Sequence, residues 1–298
     1  MAVTAAALPP GVIGVHALPA DHHDGPWDSM VVPDGTKERL LSQALLVLRH
    51  GHRLTALSAA PHGLIVLAGP PGTGKSTLAQ GLAQAAALAL APHGATTFVE
   101  IDPHAFPSDM LGESQRAVAR LFTEVLPEIA ARRPHTIVLV DELEALAVRR
   151  STASFETNPV DVHRATDAVL MGLDSLRARC PHVVLVATTN FIAAVDEAVL
   201  SRADLVLHTE LPDETTIAAI LRSSLAGLAD NWPELRPLAE DTALHAKVAG
   251  RCVGFDGRRV RKLVLAAMAS RTEVALRPPL LCADDLIAAA DAEQADLP

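Results

Sequence analysis

Three stretches of the chain carry residue types at spacings that suit phosphate chemistry. The first is Gly69-Pro70-Pro71-Gly72-Thr73-Gly74-Lys75-Ser76-Thr77. A Gly-x-x-x-x-Gly-Lys-Ser run is a P-loop: its glycines let the backbone bend tightly, so that N–H groups surround phosphate oxygens at the positive end of the helix that follows. Lys75 would place a point charge on the β- and γ-phosphates, and the Ser76 hydroxyl would be a ligand to Mg²⁺. The second stretch is Asp141-Glu142, at the end of the apolar run Thr136 to Val140. There Asp141 would hold the Mg²⁺ shell and Glu142 would polarise an attacking water. An acidic helix N-terminus, favoured by the helix dipole, is the plainer reading of the same pair. The third is Asn190, at the tip of Val183 to Ala187, where it would orient water. As a plain turn asparagine it would only close the strand.

The elements around these residues read as an alternating α/β chain. Leu64 to Ala68 is apolar on both faces, as in a parallel sheet covered on both sides, and it runs straight into the P-loop. Further strands are expected at Thr96 to Ile101, Thr136 to Val140, Val183 to Ala187 and Leu205 to His208, making a parallel five-stranded sheet. Helices are expected from Thr36, from the P-loop lysine, from Glu113, from Leu143, over Arg164 to Leu176 and over Asp196 to Leu200. Ligands in such sheets bind at the carboxyl ends of the strands, which gathers the three stretches at one edge. Pro212-Asp213 marks a boundary, with Asp213 as an N-cap, and everything after it reads as helix. The expected division is a mobile N-terminal arm over 1–25, a large α/β domain over 26–211 and a small all-helical domain over 212–298.

Composition narrows the partners. The chain has 298 residues, 25 Lys and Arg against 35 Asp and Glu, and a formal charge of −10. No global basic field would hold nucleic acid. Cys180, Cys252 and Cys282 lack metal-ligand spacing, which fits a reducing compartment. The apolar amino end has no basic stretch and carries Pro9, Pro10 and Gly11, so neither a signal peptide nor a membrane helix is expected. The expected location is the cytoplasm.

A P-loop strand, an Asp-Glu strand, an Asn strand tip, an arginine after the next short helix and a helical domain together resemble an AAA+ ATPase. Within that superfamily the chain is most similar to the pachytene-checkpoint type, the remodelers of HORMA-domain proteins. The carrying segments are VLVDELEALAVRR, then Thr157, Pro159, Asp161 and Arg164, then AVLMGLDSL, VDEAVLSRADL and GFDGRRVRKL. The resemblance implies ATP with Mg²⁺, a homohexamer, and a P-loop large domain followed by a small helical lid. It also implies that Arg202 reaches the γ-phosphate of a neighbouring subunit and that Arg258 senses nucleotide from the lid. A solvated helix-end arginine and a basic helix face are the plainer readings of these two. Met110 and Leu111 stand where the family's first pore loop grips substrate, with methionine in place of the usual aromatic; a loop methionine packed on its own domain is the alternative. The implied partner is a HORMA-domain protein, in a bacterial antiphage system that makes cyclic oligonucleotides. A nucleic-acid loader and an assembly scaffold that uses ATP without turnover are the rival readings.

Overall fold

The computed structural model describes residues 8–20, 27, 30–57, 60–106, 113–147, 149 and 159–295, for 113–114 and 159–164 the backbone only. Met110, Leu111 and Thr157 lie outside these. The chain divides into two compact units. The first comprises residues up to Trp27, Asp34–Gly69 and Lys75–Thr209; the second comprises Asp28–Pro33, Pro70–Gly74 and the chain from Glu210 onward.

The first unit is built on a six-stranded sheet. Its elements in order are β1 (Val12–Leu18), α1 (Thr36–Leu54), β2 (Leu64–Ala68), α2 (Lys75–Leu90), β3 (Thr96–Ile101), α3 (Glu113–Arg120), α4 (Leu126–Ala130), β4 (His135–Val140), α5 (Pro159–Arg179), β5 (Val183–Thr189), α6 (Glu197–Leu200) and β6 (Ala203–His208). The strand order is β1-β3-β4-β5-β2-β6, and every pair is parallel except β1 with β3. Each residue of β2, β4 and β5 is buried, as strands covered on both faces must be. One face packs on Val118, Leu121, Phe122 and Leu126 and on Val169, Leu173 and Leu176.

Three details depart from the sequence expectation. The arm expected over 1–25 contains β1, which pairs antiparallel with β3 and makes a sixth strand. Val12, Gly14 and Leu18 turn inward, but Ile13 and Val15 on the outer face are apolar too, which hides the alternation. The helix expected from Leu143 is a single 3₁₀ turn, Leu143–Ala145. Beyond it the chain turns away to pack: Leu146 and Ala147 are buried, and the Ala147 carbonyl accepts the Asp196 N–H at 2.9 Å. The helix from Glu113 is interrupted by a π turn, Leu121–Val125. Pro127 has no N–H to give to the carbonyl of Thr123 four residues before it, so the α-pattern cannot close there. Arg179 Nη1 donates to that carbonyl instead, at 2.6 Å.

The second unit is helical: α7 (Glu214–Asn231), α8 (Arg236–Glu240), α9 (Thr242–Ala249), α10 (Gly257–Ala269), α11 (Thr272–Leu276) and α12 (Ala283–Ala295). Ile217, Leu221, Leu225, Phe255, Val260 and Leu263 fill its core. Asp213, Asp241 and Asp256 cap α7, α9 and α10, each accepting first-turn N–H groups at 2.8–2.9 Å. Before α12, the Arg271 guanidinium grips Asp285 through two bonds of 2.7 and 2.8 Å and holds its carboxyl down at about 2. Among the described residues no helix is long and apolar enough to cross a membrane.

Candidate active site

β2 delivers the P-loop between two neighbours. The Gly69 N–H donates to the Thr189 carbonyl at the end of β5, 3.2 Å away, and a side chain at Gly69 would run into Thr209 after β6. Glycine is required there by close backbone approach. Lys75 opens α2 and is 6% exposed, with Nζ donating to the Gly69 carbonyl at 2.8 Å. The first turn of α2 contains no acidic residue to offset its dipole, so its amino end stays electropositive. This is the setting in which helix N-termini bind phosphate. Thr77 follows, half-buried, in the same first turn.

Ser76 meets Asp141 across the sheet. Its hydroxyl donates to Asp141 Oδ1 at 2.8 Å, which sets two hard oxygens side by side. Such a donor set fits Mg²⁺, which takes one or two protein oxygens and completes its shell with water and phosphate. The residues predicted as metal ligands are therefore brought together.

Glu142 is the single non-glycine residue at positive φ among the described residues, with φ 58° and ψ 59°. That backbone costs roughly 1–2 kcal/mol for an L-residue and persists only where surrounding bonds hold it. Two bonds do so. Its N–H donates to Thr188 Oγ1 at 3.1 Å, and its Oε2 lies 2.7 Å from His104 Nε2. The hydrogen bond to Glu142, reinforced by the charges of Glu142, Asp102 and Glu144, holds His104 above the usual imidazole range against the opposing effect of burial. Thr188 also donates to Asp141 Oδ1. Asn190 follows β5, with its N–H on Glu144 Oε1 at 3.0 Å, two residues past Glu142.

The two predicted arginines belong to different units. Arg202 binds Asp174 of α5 through Nε and Nη2 at 2.9 and 2.8 Å, and its Nη1 donates to the Ala198 carbonyl at 2.9 Å. Hydrogen bonding to Arg202, with its charge, holds the Asp174 carboxyl below its usual range despite some burial. Arg258 belongs to the second unit, where its N–H donates to the Gly72 carbonyl at 3.3 Å and its side chain is exposed. That unit also contains Pro70, Pro71, Gly72, Thr73 and Gly74. Thr73 Oγ1 closes the turn on the Pro70 carbonyl at 2.9 Å, and Gly72, at φ 78°, leaves to the Asp256 carboxylate the space a side chain would fill. His104, Glu144 and Thr188 are the site residues that sequence reasoning missed.

Fold and site define a P-loop nucleotide-binding protein with a mostly parallel sheet. Residues 65–211 match the model of the ATPase family associated with various cellular activities (AAA). The chain is 43% identical over 281 residues to CD-NTase-associated protein 6 of Pseudomonas aeruginosa, covering 94% of this chain and 91% of that one. It is 31% identical over 272 residues to the pachytene checkpoint protein 2 homolog of Danio rerio, covering 85% of this chain and 64% of the longer relative. It superposes on the structure of C. elegans PCH-2 with a TM-score of 0.75 at 25% identity, covering 96% and 77% of the two chains. A chain of the E. coli MS115-1 HORMA:CdnC:Trip13 complex shares the fold, with a TM-score of 0.75 at 18% identity over 94% and 95%. The protein belongs to the AAA ATPases, in the group that holds CD-NTase-associated protein 6 and the pachytene checkpoint 2 proteins.

Proposed function

We propose that this chain hydrolyses ATP in a homohexameric ring and uses the energy to remodel a HORMA-domain protein, thereby regulating a bacterial antiphage system built on a cyclic-oligonucleotide synthase. The meeting of Ser76 and Asp141 at 2.8 Å, with Glu142 as the next residue, carries the hydrolytic part of this reading. The choice of target is supported by the relatives, one named for its association with a CD-NTase and another found in a complex with a HORMA protein.

In this reading the P-loop N–H groups and Lys75 cradle the phosphates, with Ser76 and Asp141 as the metal's protein ligands. Bound Mg²⁺ neutralises charge on the phosphate oxygens. Glu142 orients a water and accepts its proton as the water oxygen bonds to the γ-phosphorus and the bond to the ADP oxygen breaks. Asn190 helps position that water, Arg202 serves a neighbouring subunit and Arg258 reports on nucleotide from the helical unit. Met110 and Leu111 grip substrate in the pore.

The test separates chemistry from target. Glu142→Gln should bind ATP by calorimetry yet turn over ~10²- to 10⁴-fold more slowly, the usual effect of removing a general base. Lys75→Ala should lose ATP binding. The wild-type protein with ATP should convert a purified HORMA-domain protein between its two conformers, followed by ion exchange, and Glu142→Gln should not. Normal turnover in Glu142→Gln would remove the base assignment, and ATP turnover without conversion would remove the target.

A further inference from the structure

Thr188 lies on β5 opposite Leu67, the penultimate residue of the P-loop strand, and is 2% exposed. A threonine hydroxyl has one donor and two acceptor sites. Here the donor goes to Asp141 Oδ1, the oxygen that also accepts the Ser76 hydroxyl, and one acceptor site takes the Glu142 N–H. One buried oxygen thus touches both acidic residues, at the point where the backbone enters its strained conformation. The Asp141 carboxylate could otherwise swing about χ1 and χ2, and the peptide between Asp141 and Glu142 could turn over to relieve the positive φ. The Thr188 hydroxyl opposes both movements.

We propose that Thr188 is a positioning residue for hydrolysis: its hydroxyl sets the Asp141 carboxylate toward Ser76 and fixes the Glu142 peptide, so that metal ligand and base hold their places together. The proposal rests on the reading of Asp141 as metal ligand and Glu142 as base. A valine at position 188 keeps the shape and removes the hydroxyl, leaving the Glu142 N–H without its acceptor. A serine keeps the hydroxyl and loses only a methyl.

The experiment compares Thr188→Val, Thr188→Ala and Thr188→Ser with wild type. ATP affinity is measured by calorimetry in EDTA and again with Mg²⁺, turnover by phosphate release and folding by thermal melting. Residues that orient a metal's ligands are typically worth ~10–100-fold in metal affinity or activity. Thr188→Val should therefore bind ATP normally in EDTA, lose ~10-fold or more of the gain that Mg²⁺ brings, and lose kcat by ~10–100-fold with KM little changed. Thr188→Ser should return both quantities to within a few-fold of wild type. If Thr188→Val melts before assay, Thr188→Ala provides the same removal of the hydroxyl. An undiminished Mg²⁺ gain in a folded variant without the hydroxyl overturns the proposal, as does a Thr188→Ser protein as impaired as Thr188→Val. Glu142→Gln is run alongside: if that variant keeps its turnover, the base assignment fails, whatever the Thr188 series gives.

Discussion

The carboxylate of Glu142 has a competitor for its oxygen. A water that approaches Glu142 through Oε2 meets an oxygen that His104 already holds at 2.7 Å. The two side chains are 64% and 47% exposed, so their pairing is worth ~1 kcal/mol at most, as for other surface pairs. We expect His104→Ala to raise basal ATP turnover by up to ~5-fold, the factor that ~1 kcal/mol represents. Steady-state phosphate release measures it, and a fall toward the Glu142→Gln rate would show that His104 orients the carboxylate instead of competing for it. The P-loop and the Asp-Glu pair were readable in the sequence because their chemistry requires close spacing along the chain. His104 and Thr188 were not. They stand 38 and 46 positions from Glu142, and only the parallel register of β3, β4 and β5 brings them to it. No local pattern distinguishes a histidine after a strand, or the first of two strand-end threonines, from an ordinary residue.

Helices and strands were readable to the degree that one face or two had to be apolar. β2, β4 and β5 are largely apolar, fully buried runs and β3 is rich in strand-forming residues, so their places followed from residue type, whereas β1 is an edge strand with apolar residues on both sides of a broken register. The five-residue helices α8 and α11 are too short to show a period. Contacts between helices are invisible to such patterns, and Gly172 illustrates the consequence. It lies inside α5, where replacing glycine by alanine normally gains up to ~1 kcal/mol from helix propensity. A Cβ at this position would lie 2.6 Å from Cβ and Cγ of Phe122, on the π turn, and Phe122 is 2% exposed and has no room to retreat. Overpacking of this kind costs ~1–3 kcal/mol. Gly172→Ala should therefore lower the melting temperature, although propensity alone predicts a rise. An unchanged or higher melting point would mean that the π turn yields without cost.

Arg202 raises the question of how many chains make one active site. Its guanidinium has five N–H donors. Three are committed to Asp174 and Ala198 within its own unit. Asp174 takes the Nε and Nη2 edge and the Ala198 carbonyl one N–H of Nη1, so two of the five N–H groups, one on each of Nη1 and Nη2, remain for a further acceptor. An arginine anchored by its own unit with two N–H groups to spare is suited to meet a phosphate on another molecule. If Arg202 acts across subunits, it should contribute ~10³- to 10⁵-fold to turnover, as other fingers supplied from outside do. Arg202→Ala and Glu142→Gln proteins should each be nearly inactive alone. In a mixed ring, an Arg202→Ala subunit keeps its own Glu142 and can receive Arg202 from a Glu142→Gln neighbour. Activity should therefore appear on mixing and peak near equal proportions, with native mass spectrometry confirming that the rings are mixed. Mixed rings that stay inactive would return Arg202 to the service of its own subunit, and the Asp174 pair would then be an ordinary ion pair joining α5 to the end of α6.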